Sequence, residues 1–211
     1  MHRMHLAVLA ALVTLGLGAA PAAADNTIIL PRAGQVGIGI QVQGGSLLSS
    51  GDLGTEFGSG PGLTVKVRYR MRFERAFGLT FESQRLSART NSGRAGAFDS
   101  LTDAPAVLRD RLKFNTAGIE FYQMFDTRER TTKMLSAGAG LVQMSAHLTN
   151  GETQFPIAGD GVYLSTGAGL ERFMFKSWAW DLSTRYMAIF HDGKMNHDVQ
   201  LQVGLMFYAA Y

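Results

Sequence analysis

The sequence predicts an eight-stranded antiparallel up-and-down β-barrel that crosses a membrane with its strands. Three observations predict it. Polar and apolar side chains alternate through most of the chain, which is the period of a strand and not of a helix. The connections alternate between long Gly, Ser, Asn and Asp-rich stretches and short turns. Charged residues are only 18% of the 211, while glycines number 25, a balance that suits a membrane-facing barrel better than a water-soluble domain. The 20 Lys and Arg against 17 Asp and Glu leave +3, evenly spread, which argues against nucleic acid as a partner. With no cysteine, a disulfide scaffold, a thiolate metal centre and a lipid-anchored N-terminus are excluded.

The chain opens on a predicted export signal, residues 1–24. Arg3 with His2 and His5 makes a basic start, Leu6 to Leu17 is an apolar run, and Ala22, Ala23 and Ala24 are the small residues before a cleavage site. That run is too short for a bilayer span of about 20 residues. The mature domain is expected to be 25–211, starting at Asp25.

The strands follow in order. Gln35 to Gln43 alternates Val36, Ile38, Ile40 and Val42 with Gln and Gly. Leu63 to Phe73 is the purest case, with Leu63, Val65, Val67, Tyr69, Met71 and Phe73 on one face and Thr64, Lys66, Arg68, Arg70 and Arg72 on the other. Shorter patterns mark Phe77 to Phe81, Ile119 to Phe121, Leu135 to Leu141, Leu164 to Leu170 and Trp180 to Tyr186, and Val199 to Tyr211 ends the chain. Between them, 44–61, 87–111, 148–160 and 191–198 read as long loops, and 74–76, 126–132 and 175–178 as short turns. A helical turn is expected around Asp103 to Arg109, capped by Asp103 ahead of Pro105.

Alternation alone does not say which face points inward; glycine does. Gly37 and Gly39 share parity with Gln35 and Gln41, Gly138 and Gly140 with Ser136, Gly167 and Gly169 with Ser165 and Glu171, and Gly204 with Gln200 and Gln202. Glycine weakens a strand and is placed where space is tight, as it is inside an eight-stranded barrel. The polar face is therefore the lumen. Phe73, Phe77, Phe125, Phe173, Phe175, Trp178, Trp180, Phe207 and Tyr211 gather toward the short-turn side, as an interfacial aromatic girdle does.

This parity sends Lys66, Arg68, Arg70, Arg72 and Arg185 inward together with Glu82, Glu120, Glu171 and Asp181. Enclosed charges must pair, so a plug of ion pairs is expected in preference to a selective pore. Closing the second and third strands with a three-residue turn at Glu74, Arg75 and Ala76 pairs Phe73 with Phe77 and makes Arg68 and Glu82 direct neighbours, with Glu120 or another lumen acid taking up the charge of Arg70. The run HDGKMNHD carries His191, Asp192, His197 and Asp198 but reads as a solvated loop, so neither a metal nor another cofactor is expected.

The segments MLSAGAGLVQ, VYLSTGAGLERF, WAWDLSTRY and VQLQVGLMFYAAY together resemble the small eight-stranded outer-membrane barrels of the OmpA and OmpX type. The resemblance implies residence in the outer membrane of a Gram-negative bacterium, contact with membrane lipid and lipopolysaccharide, a monomer, and insertion by the barrel-assembly machinery. It assigns the assembly signal to Gln202, Gly204, Phe207 and Tyr211, with Ala209 in the place of a larger residue. A second likeness is local: AHLTNG is similar to the His-x-Ser-Asn motif of the outer-membrane lipid A deacylases. That resemblance implies His147 as base and Thr149 as nucleophile, with Asn150 nearby, and two residues two apart on a strand do share a face. The favoured reading is non-enzymatic, with a structural, envelope-integrity or surface-contact role.

Overall fold

The structure, a computed structural model, describes residues 33–50, 52–88, 108–150, 153–175 and 177–209. Eight strands run in chain order: β1 (Val36–Leu47), β2 (Ser59–Arg72), β3 (Arg75–Ser87), β4 (Leu108–Phe125), β5 (Thr131–Asn150), β6 (Thr153–Phe173), β7 (Trp178–His191) and β8 (Lys194–Tyr208). Each pairs antiparallel with the next, and β8 returns to β1, so the sheet is a closed barrel with no free edge. One helical turn, α1 (Asp52–Glu56), lies between β1 and β2. Residues 1–24 and Tyr211 lie outside the described residues.

Burial alternates residue by residue, without a break along β3, because successive side chains on a strand point to opposite faces. The sense is inverted relative to a soluble barrel. Val42 and Leu141 are 64% and 66% exposed on the outside, whereas Arg68 and Arg70 are 0% exposed inside. Following the hydrogen-bonded neighbours outward from Trp180 leads through Leu205, Ile40, Val65, Phe81, Ala117, Leu141 and Val162 back to β7 at Phe190, ten residues along from Trp180. That stagger on eight strands, at about 3.3 Å per residue and 4.8 Å per strand, tilts the strands by about 40°. One circuit then climbs about 25 Å, the height of the apolar band of such barrels.

Two glycines show why the lumen needs them. A Cβ on Gly140 would lie 2.6 Å from the Gly118 Cα and 2.7 Å from the Tyr163 ring. Gly118 and Gly140 face each other across β4 and β5, and the space they leave is where the Tyr163 ring sits, 1% exposed.

Several expectations are corrected. The stretch 191–198 is not a loop: Asp192 and Gly193 form a two-residue turn, with φ of 50° and 72°, and Lys194 already pairs with His191. Positive φ at both central residues is the hairpin geometry that Asp-Gly favours, so the dipeptide itself carried the signal. Most of 148–160 is also strand, since Asn150 pairs with Thr153 and only 151–152 separate β5 from β6. Both stretches are polar in composition, which concealed the strand in them. The long connection after β1 shortens to 48–58. Of the helical turn expected at Asp103 to Arg109, Leu108 and Arg109 belong to β4 and the rest lies outside the described residues.

The register of β2 against β3 is also corrected. Tyr69, not Phe73, pairs with Phe77; Arg68 faces Gly78 and Glu82 faces Thr64. The chain reverses at Phe73 and Glu74, and Met71 is an extra residue on β2 between the pairs Arg70 with Ala76 and Arg72 with Arg75. The displacement from the expected register is four residues, an even number, so the faces are preserved. The bulge at Met71 breaks parity for the last residue only: Arg72 is exposed at the barrel end and is no part of the lumen.

Candidate functional site: the charged lumen

Two strands aim cations into the barrel and four aim acids. Lys66, Arg68 and Arg70 stand on β2 and Arg185 on β7. Glu82 comes from β3, Glu120 from β4, Glu171 from β6 and Asp181 from β7, and all eight are buried. The lumen sorts them into two groups.

Nearer the short-turn end, Glu171 is the hub. It accepts from Arg70 Nη2 at 2.8 Å, from the Tyr208 hydroxyl at 2.7 Å and from Arg68. Arg68 also reaches Asp181 at 3.0 Å, and its guanidinium lies over the Tyr122 ring, 4.3 Å from the centroid. Arg70 rests 5.2 Å from the Tyr208 ring centroid. Two cations thus share two carboxylates, with aromatic faces supplying the remaining favourable contact.

Further in, Arg185 ties β7 to three other strands. It donates to Glu120 at 3.0 Å, to the Gln200 carbonyl at 3.0 Å and to Glu82. Glu120 also accepts from the Tyr122 hydroxyl. Lys66 donates to Gln202 at 2.8 Å rather than to an acid. Gln202 in turn donates to Gln43 at 3.0 Å and to Gln200 at 3.0 Å, and Gln200 donates to Asp198 at 2.8 Å. These amides carry donor and acceptor on one side chain, so they can link groups that a second charge would repel.

Arg68 and Glu82 therefore do not form the expected neighbouring pair; the charge of Arg70 is taken up by another lumen acid, Glu171, while Glu120 pairs with Arg185. Arg68 of β2 meets partners on β6 and β7, across the lumen and not beside it. Asp198, Tyr122, Tyr208 and the glutamines Gln43, Gln84 and Gln200 belong to this interior and were not among the expected lumen charges. Parity with Glu120, Gly204 and Gln202 was the available signal for Tyr122, Tyr208 and Asp198. Counting Asp198, four buried cations face five buried carboxylates among the described residues.

Apolar layers close both ends. At the long-strand end Leu47, Phe57, Leu86, Phe114 and Ile189 pack together, with Leu53 of α1 against them. At the short-turn end Phe173 and Tyr208 pack with Met206 and Ala179, their rings 5.7 Å apart, and Tyr122, Met124 and Met134 form a second group. Phe173 is accordingly a lumen residue, 1% exposed, and not part of the outer girdle. Between the layers, a cavity of about 10 Å³ beside Lys66, Glu120 and Arg185 has room for about one water molecule.

The residues assigned to assembly divide by face. Gln202 and Gly204 point inward, and a Cβ on Gly204 would lie 2.6 Å from the Gln41 Cα, which explains the glycine. Phe207 points outward onto Trp178, ring centroids 5.0 Å apart. Tyr211 lies outside the described residues. His147 and Thr149 are in β5, paired with Arg111 and Leu108 on β4, but their side chains, with that of Asn150, are outside the described set. His191 and His197 stand apart: His191 approaches Asp192 at 3.2 Å and His197 stacks on Tyr186. No group of three or more metal-ligating side chains occurs among the described residues.

The family described as outer membrane protein beta-barrel domain matches residues 9–207. Among solved structures, the chain is similar to Neisserial surface protein A, with 17% identity, a TM-score of 0.54, and 82% of this chain and 96% of that one covered. It is similar to the attachment invasion locus protein Ail of Yersinia pestis at 14% identity and a TM-score of 0.54, covering 83% and 99%. For the outer membrane protein OprG of Pseudomonas aeruginosa the values are 13% and 0.51, covering 87% and 100%. At these identities the likeness is one of fold. No curated protein matches the sequence.

Proposed function

The chain belongs to the outer membrane protein beta-barrel domain family, and from that premise we propose a non-enzymatic outer-membrane protein whose barrel is a closed wall with a structural or surface-contact role. The observation that carries this reading is the pairing of an apolar exterior with a filled interior. Ile38, Ile40, Val42, Leu63 and Leu141 are exposed on the outside, as a lipid-facing wall requires, while the interior charges are held by ion pairs and amide hydrogen bonds between two apolar layers. A conducting pore would need a continuous polar path. A binding or catalytic cavity inside the barrel would need far more room than the one water its lumen can hold.

In this reading the export signal is removed after Ala24, the mature protein begins at Asp25, and both chain ends lie on the periplasmic side with the short turns. The long-strand end then faces outward from the cell, and contact specificity resides there. Insertion uses the last strand, with Gln202, Gly204, Phe207 and Tyr211 as the assembly signal, and the folded protein is a monomer among outer-membrane lipids and lipopolysaccharide. Fractionation of the envelope tests the premise. The protein should require detergent for release, begin at Asp25 by N-terminal sequencing, and migrate faster on a gel when unheated than when boiled. Recovery in the soluble periplasmic fraction would overturn the reading.

A further inference from the structure

The outer surface carries a feature that a plain lipid-facing wall does not need. One hydrogen-bonded row runs from Leu182 on β7 through Val42 on β1 to Leu63 on β2, all apolar. As it climbs further it becomes polar, through Ser83, Asn115, Gln143 and Asp160 on β3 to β6. Rows in this barrel rise steadily because the strands are tilted, so the change between Leu63 and Ser83 marks where the apolar band ends on this side.

Immediately beyond that boundary, Arg85 on β3 and Lys113 on β4 are direct cross-strand partners, and Arg111 follows on the same face of β4. Like charges opposite one another destabilise a sheet. No carboxylate among the described residues lies within ion-pair distance of these three. The other like-charged cross-strand pair on the outer face, Arg72 with Arg75, brackets Glu74 in its own turn. Among the described residues the Arg85 and Lys113 pair has no such relief, and on the outer-membrane reading its two long side chains stand at the level where a bilayer changes from acyl chains to headgroups. Below the pair, a shallow groove of about 690 Å³ runs over the barrel wall where small Ala117 sits between Phe81 and Leu141.

We propose that this face of β3 to β6 is a binding site for the phosphorylated glycolipid of the outer leaflet, the lipid A part of lipopolysaccharide. Arg85 and Lys113 hold a phosphate, the row of Ser83, Asn115 and Gln143 meets the sugar and amide groups, and the groove beside Ala117 takes an acyl chain. A phosphate between the two cations converts their repulsion into two charge-assisted hydrogen bonds. The hydroxyl and amide side chains below it suit a headgroup with many hydrogen-bonding atoms better than a simple phosphodiester. The inference rests on the outer-membrane reading and adds a ligand to it.

The test uses mature protein in phosphatidylcholine nanodiscs, titrated with bisphosphoryl lipid A, the same lipid A dephosphorylated, or phosphatidylglycerol. Bound lipid is counted by native mass spectrometry and the thermal midpoint is recorded. Wild type should retain bisphosphoryl lipid A at least tenfold better than either alternative, with a raised midpoint. The variant Arg85→Gln with Lys113→Gln should lose that preference while being no less stable in plain phosphatidylcholine, because a repulsion is gone. A control at the other end, Arg75→Gln with Lys133→Gln, should keep it. Equal retention by wild type and the Arg85/Lys113 variant, equal loss in the control, or equal retention of phosphatidylglycerol would each overturn the proposal. Protein that inserts and shows heat-modifiable migration but no lipid preference refutes only this inference. Failure to insert at all refutes the outer-membrane reading beneath it.

Discussion

Replacing Glu171 by Gln is the sharpest perturbation of the lumen. Glu171 is fully buried and accepts from two guanidinium groups and one phenol, Arg68, Arg70 and Tyr208. Glutamine is nearly isosteric but neutral, and it turns an amide NH₂ toward cations where an oxygen stood. Asp181, which bonds Arg68 only, would remain as the single carboxylate for both arginines. A hydrogen bond to a charged partner contributes about 1.5–3 kcal/mol, and breaking a buried ion pair from one side costs about 3–5 kcal/mol because the other charge is stranded. We expect Glu171→Gln to cost about 3–5 kcal/mol in that light, and Asp181→Asn to cost less, since Arg68 keeps Glu171. Converting Arg68, Arg70, Glu171 and Asp181 together to Met and Leu should cost much less than the single change, as no charge is left alone. The assay is reversible urea unfolding in lipid vesicles, followed by the emission of Trp178 and Trp180, the two tryptophans of the chain. Glu129→Gln in the exposed turn after β4 serves as reference, with an expected effect within about 0.5 kcal/mol. A Glu171→Gln effect no larger than that reference, or a fourfold apolar variant worse than the single one, would refute the argument that the interior is held by mutual neutralisation.

Four shorter predictions accompany it. Gly140→Ala should destabilise by about 1–3 kcal/mol, since its Cβ meets backbone and the Tyr163 ring, whereas Gly44→Ala, with nothing within 4 Å, should be neutral or slightly stabilising in the same unfolding assay. Purified protein in planar bilayers should show no steady ionic current, because the interior charges are held in bonds between apolar layers; well-defined conductance steps from the wild-type protein would contradict this. Removing Tyr211 together with Phe207→Ala should leave unassembled precursor in the periplasm, visible as protein that no longer shifts on heating. His147→Ala and Thr149→Ala should leave the acylation pattern of lipid A unchanged by mass spectrometry, and loss of an acyl chain dependent on both residues would establish the hydrolase instead.

What could be read locally was which face each residue takes. A period of two is a property of the strand itself, and glycine parity identifies the crowded side without reference to any partner, so Lys66, Arg68, Arg70 and Arg185 were legible as interior residues before any strand was paired. Even the mistaken register of β2 against β3 kept those faces, because its error was even. The Asp-Gly turn at Asp192 and Gly193 was equally local, though a polar composition concealed the strand around it. The tertiary structure alone decided who meets whom. In a barrel this narrow a long side chain crosses the lumen, so Arg68 on β2 finds Glu171 and Asp181 on β6 and β7, more than a hundred residues away in the chain, and no adjacency in sequence or in register encodes that meeting. The apolar layers were hidden for the same reason: Phe57 and Phe114 meet at one end of the lumen and Phe173 meets Tyr208 at the other only once the sheet has closed.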